Sequence, residues 1–191
     1  MTGVVVSVFR QLFADSMEKM MKTKVLLCLG FLLAVCGVLA AGSLPNNQWQ
    51  LLVIAYPPDR DVTVTLGGAE RTLTSKGLCK VKFENEGARA EIEIDNLPPA
   101  QSIGLPGTQY VLWAIDEEKR PTNLGALPMS GDNAKWNLQL PLRVFGLLVT
   151  AEKSAQATSP SSAVVMESLL PTDRYLVVPV FRVTVDLAPQ G

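Results

Sequence analysis

Six residues in the middle of the chain, Ala90-Glu91-Ile92-Glu93-Ile94-Asp95, decide the fold class. Apolar and acidic side chains alternate there, so an extended backbone turns Ile92 and Ile94 to one side and the carboxylates to the other. One face is buried and one wet, as in an antiparallel sheet with a solvated side. Outward from this segment, the period of two recurs from Gly42 to Gly191, broken at short intervals by turn residues. Strands are predicted over 48–55, 62–66, 71–74, 78–83, 88–94, 109–115, 135–140, 145–152, 163–168 and 174–186. Ten is an upper count.

Short strands at this spacing predict an all-β domain, an immunoglobulin-like antiparallel β-sandwich, over residues 42–191. Gly67-Gly68 reads as a hairpin turn, because glycine reaches the positive φ that tight hairpins need. Pro179 predicts an edge position or a bulge, since proline cannot donate to a ladder. No sustained helical stripe follows Ala41.

The beginning of the chain reads differently. Lys19, Lys22 and Lys24 precede an uncharged run from Val25 to Ala41, and the next charged residue is Asp59. A basic segment, an apolar segment and small residues at Val38-Leu39-Ala40 predict a secretory signal cut near Ala40 or Ala41. Two alternatives stay open. As an uncleaved helix, the 17 residues of this run reach roughly 25 Å at about 1.5 Å each, just short of a hydrocarbon core. Leu33-Ala34-Val35-Cys36 also looks like a bacterial lipobox, with Val35 where a small residue is expected. Residues 1–41 are thus a signal peptide or a membrane anchor, with membrane association through residues 25–41. Translation from Met17, Met20 or Met21 fits this reading better than translation from Met1.

The chain has 191 residues, 17 Lys plus Arg, 18 Asp plus Glu, three Cys and no His. Without imidazole there is no Ser-His, Cys-His or His-metal chemistry. A formal net charge of −1 gives no field to gather a polyanion, which argues against nucleic acid as a partner. Cys28 and Cys36 fall in the apolar segment, leaving Cys79 alone in the domain with no internal disulfide. Cys79 reads as a small buried hydrophobe.

Glu91, Glu93 and Asp95 share a strand face, but alternate positions lie about 6.5 to 7 Å apart, too far to hold one ion unaided. They read as a solvated face. Asp59-Arg60-Asp61 and the run Asp116 to Arg120 lack the spacing of a calcium loop and read as hairpin tips. In the adjacent pairs Ser75-Lys76 and Lys153-Ser154, a strand would turn the two side chains apart, against a Ser-Lys hydrolase. Tyr110, Trp113, Trp136 and Phe145 read as core. No metal, cofactor or catalytic residue is assigned.

Three motifs follow one another: Tyr110-Val111-Leu112-Trp113, then Asn123-Leu124-Gly125-Ala126-Leu127, then Val149-Thr150-Ala151-Glu152. With Ser159-Pro160-Ser161 and Ala163-Val164-Val165-Met166 after them, they resemble the extracytoplasmic C-terminal domain of anti-sigma-K factors over about residues 67–167. The resemblance implies a β-sandwich outside the cytoplasm, with Tyr110 to Ile115 a central strand apolar on both faces. It lends no catalytic residues. That family carries a sigma-binding helical domain before its membrane helix, whereas only 24 residues precede Val25 here, so sigma-factor inhibition is not carried over. The expected function is a non-catalytic binding or sensing module of the bacterial cell envelope, soluble in the periplasm or tethered, its partner an envelope protein or a small ligand. The expected working surface is the loop pair Gly104–Gly107 and Ala155–Ser162. The alternatives are a regulatory part of a sigma/anti-sigma system acting through a partner, and an enzyme using an acid dyad or a Ser/Lys pair.

Overall fold

The computed structural model describes residues 47–84 and 87–189, in which every regular element but one is a strand. The expected signal or anchor segment 1–41 lies outside the described residues. Among those described, no helix is long and apolar enough to cross a membrane. The strands are β1 (Gln48–Ala55), β2 (Val62–Gly68), β3 (Lys76–Glu84), β4 (Gly87–Asp95), β5 (Gln109–Ile115), β6 (Pro121–Ala126), β7 (Met129–Ser130), β8 (Asn133–Leu140), β9 (Val144–Glu152), β10 (Val164–Pro171) and β11 (Val180–Asp186), with one 3-10 turn at Ala100–Ile103. They form one curled antiparallel sheet in the order β11-β1-β9-β10-β2-β3-β4-β8-β7, with β5 also on β9 and β6 on β5. The chain is all-β, as the alternation in β4 predicts: Ala88, Ala90, Ile92 and Ile94 are buried while Arg89, Glu91, Glu93 and Asp95 are exposed.

The sheet curls around β5 and β9, whose two faces serve two separate hydrophobic clusters. Tyr110, Leu112 and Ala114 join Phe145, Leu147 and Val149 against Val64, Leu66, Cys79, Val81, Ile92 and Ile94 from β2, β3 and β4. Val111, Trp113 and Ile115 meet Leu148 and, from β1 and β11, Leu51, Val53, Val183 and Val185. The expected central strand is thus apolar on both faces. Each large side chain removed from water here contributes roughly 1.5–3 kcal/mol of transfer free energy. Where the pairing of β9 passes from β1 at Val144 and Phe145 to β10 at Leu148, the Ser168 hydroxyl joins the three strands. It accepts from Leu147 N–H at 2.9 Å and faces the Leu52 carbonyl at 3.4 Å.

Three expectations give way to local chemistry. Residues 71–74 are a turn and not a strand, because Thr72 N–H donates to Ala69 O at 2.8 Å, Ser75 N–H to Thr72 O at 2.8 Å, and the Thr72 hydroxyl to Val165 O. Gly67 and Gly68 lie inside β2, paired with β10, and the turn comes after them. Glycine is needed at position 68 for close approach: a Cβ there would lie 1.7 Å from the Thr72 carbonyl oxygen. The run 174–186 begins as a turn, with Tyr175 N–H donating to the Asp173 carboxylate at 2.9 Å, and pairs as a strand only from Val180. Pro179 stands just before β11, an edge strand, at the end of its ladder with β1, where its carbonyl accepts from Ala55 N–H at 3.0 Å and no donor is returned. Spacing alone also missed β6 and the two-residue β7.

Candidate functional site

Antiparallel pairing brings the connections 69–75, 96–108, 127–132 and 153–163 to one end of the sheet, opposite the turns at 56–61 and 116–120. At that end β9 stops at Glu152, which is 7% exposed. Its carboxylate accepts from the Thr150 hydroxyl at 2.5 Å and from Ser161 N–H at 2.8 Å. The Thr150 hydroxyl in turn accepts from the Trp113 indole N–H at 2.8 Å. A buried chain therefore runs from β5 through β9 to the far end of the connection 153–162, each member satisfied by the next.

Other anchors hold the same connection. The Asn123 amide of β6 donates to Ala155 O at 3.0 Å and Ala157 O at 2.7 Å, while its oxygen accepts from Gly125 N–H at 2.7 Å. Beyond β11, Ala188 N–H donates to Pro160 O at 2.8 Å, and Ala188 O accepts from Ser162 N–H at 2.9 Å. Lys153, Ser154, Gln156, Thr158 and Ser159 are left exposed on a fixed backbone. Pro160 and Ser161 are buried.

The expected loop pair is brought together in part. Gly107 packs on the base of the connection, where a Cβ would lie 2.5 Å from the Ala151 carbonyl carbon, and Thr108 N–H donates to Glu152 O at 2.9 Å. Gly104 faces elsewhere: the Arg71 guanidinium lies next to it and donates to Ile103 O at 3.1 Å. Thr108 and Gln109 also line a groove of about 360 Å³ with Ala100, Tyr110, Leu127 and Met129. At its wall the Tyr110 hydroxyl donates to Pro98 O at 2.5 Å. Burial, helped by the Asp132 carboxylate, pushes this phenol up to about 12, so it stays a donor. The sequence reading put Tyr110 in the core, where it is 4% exposed. It missed the groove, which needs the long-range pairing of β5 with β9.

The remaining candidates sit apart. Glu93 pairs with Lys135 at 2.9 Å on the exposed face of β4 and β8, and Asp61 pairs with Lys80 at 2.9 Å. Among the described residues no three His, Cys, Asp or Glu side chains are placed to hold a metal ion. Asp116 and Arg120 close the β5–β6 hairpin, the carboxylate accepting from Arg120 N–H at 2.8 Å and from Nε at 2.7 Å. Burial opposes ionisation of Asp116, but the Arg120 backbone and guanidinium outweigh it and hold the pKa below the ordinary range. Ser75 donates to Asn96 O at 2.6 Å, with Lys76 exposed beside it. Trp113 and Phe145 are wholly buried, and Trp136 is half-buried against the first cluster. Cys79 is buried as a hydrophobe, and loss of hydration pushes its thiol up to about 12. Comparison with family models, curated proteins and solved structures found no match to this chain.

Proposed function

We propose that this chain is a non-catalytic binding or sensing module of the bacterial cell envelope, working outside the cytoplasm and related to the C-terminal domain of anti-sigma-K factors. On this reading the curled sheet is an immunoglobulin-like sandwich, and residues 25–41 export or tether it. One observation carries the proposal: Trp113, Asn123, Thr150, Glu152 and Ser161, which lie in the motifs of the resemblance, all converge on the connection 153–162. Buried polar groups are costly unless satisfied. Spending several of them on one connection yields a rigid recognition loop beside the groove at Thr108 and Gln109. A non-catalytic role is further supported by the two buried carboxylates, Asp116 and Glu152, which belong to opposite ends of β5 and are each held by structural partners.

The test is site-directed photocrosslinking in bacteria expressing the full chain, with a probe at Ser159, followed by fractionation and N-terminal sequencing. Recovery outside the cytoplasm, together with a discrete adduct lost when 155–158 is replaced by Gly and Ser, is the expected result. Cytosolic recovery, or adducts indifferent to the replacement, would refute the proposal.

A further inference from the structure

The edge of β11 has a geometry that fits another copy of itself. In the register Gln48↔Asp186 to Ile54↔Val180, Leu187 N–H donates to Asn47 O at 2.6 Å and Ala55 N–H to Pro179 O at 3.0 Å. Odd-numbered residues of β11 therefore turn their backbone groups to β1, and Arg182, Thr184 and Asp186 present theirs to the open edge. Ala188, next in that series, is already paired with Pro160 and Ser162. Among the described residues the open ladder thus runs from Val180 to Asp186 and stops there.

Its side chains complement their own two-fold image. Phe181 shares a face with Val183 and Val185 of the second cluster yet is 46% exposed. Natural edge strands usually carry a charge at such a position to block pairing. On the other face Arg182 and Asp186 are exposed and have no ion-pair partner among the described residues. Each is steadied only by a β1 glutamine, Gln50 at 3.3 Å and Gln48 at 2.9 Å.

We propose that two copies of this chain pair antiparallel along β11, with Val183 of one facing Val183 of the other. Only this centre uses the whole open stretch, setting Val180 against Asp186 and stopping short of the occupied Ala188. Phe181 then lies against Val185 of the second copy, extending the second cluster across the junction. Arg182 faces Thr184, and its diagonal neighbours are Asp186 and Arg182 of the second copy, so the acid lies within reach of a long side chain and offsets the facing arginine. The other open edges fit a copy less well. The free side of β6 is partly covered where Asn123 holds Ala155 and Ala157, and β8 carries no acidic residue that could meet Lys135 of a second copy, its own Lys135 being paired with Glu93.

Sedimentation equilibrium on the full-length chain tests this. A monomer–dimer equilibrium is expected, weakened roughly tenfold by Arg182→Glu and restored by Arg182→Glu combined with Asp186→Arg. Thr184→Pro removes an N–H that points away from β1, so it abolishes the dimer while the far-ultraviolet circular dichroism stays unchanged. A chain that is monomeric at every concentration overturns the proposal. So does a dimer that Arg182→Glu leaves intact, or an edge that takes up a foreign extended peptide while the chain itself stays monomeric.

Discussion

The Trp113 indole, buried in the second hydrophobic cluster, donates to the Thr150 hydroxyl at 2.8 Å. That bond fixes the rotamer in which Thr150 donates onward to Glu152, and Glu152 fixes Ser161. Thr150→Val keeps the shape but orphans the indole N–H and one carboxylate lone pair. A loss of about 1–3 kcal/mol is expected from urea denaturation, since a buried donor left unpaired costs its desolvation. The same substitution loosens the connection 153–162, so trypsin cleaves after Lys153 faster in the folded protein. Unchanged cleavage would mean that the anchors at Asn123 and Ala188 suffice alone.

The Asp116–Arg120 turn ties stability to acid pH. The folded carboxylate titrates below its unfolded value, so its contribution is complete above the unfolded pKa and is lost as pH falls through the folded one. Asp116→Asn is expected to destabilise at neutral pH by roughly 1–2 kcal/mol, because it replaces charged acceptors of two bonds. Below the folded pKa the variant and the parent converge. Denaturation midpoints from pH 2 to 7 check this.

Glu167 has the opposite sign. Burial raises its pKa, and the Trp49 indole N–H at 2.9 Å only partly offsets this. The carboxyl therefore costs nothing while protonated in both states and destabilises the fold as pH rises past its unfolded value. Glu167→Gln keeps an acceptor for Trp49 and removes the charge. Its advantage over the parent is expected to be absent while the carboxyl is protonated in both states and to grow as pH rises from the unfolded value through the raised folded one, in the same titration.

The contrast between β4 and the 67–75 stretch shows what was legible in the residues. In β4 each side chain states its own environment, so alternation alone gives the strand and both faces. Likewise Tyr110 to Ile115, apolar at every position, announces a strand between two apolar layers. The glycines at 67 and 68 look like a turn locally; only the pairing with β10 and the approach of Thr72 show why they are strand. Among the site residues, Thr150, Glu152 and Asn123 were visible as motif letters. Their convergence on 153–162 depends on which strands neighbour β9, and no local period encodes that.

Tyr56 is 4% exposed, and its hydroxyl finds no partner among the described residues. Its ring does the packing, with its centroid 4.5 Å from that of Phe145. Burial, with Cys79 nearby, raises the phenol well above its ordinary value, so the group is a neutral, unpaired O–H. Removing such a group relieves a desolvation cost of about 1–3 kcal/mol and leaves the aromatic contact in place. Tyr56→Phe is thus expected to raise the denaturation midpoint, or at least to leave it unchanged, against the usual direction for core substitutions. A drop of more than 1 kcal/mol would reveal that the hydroxyl is paired in solution, with an ordered water as the natural partner.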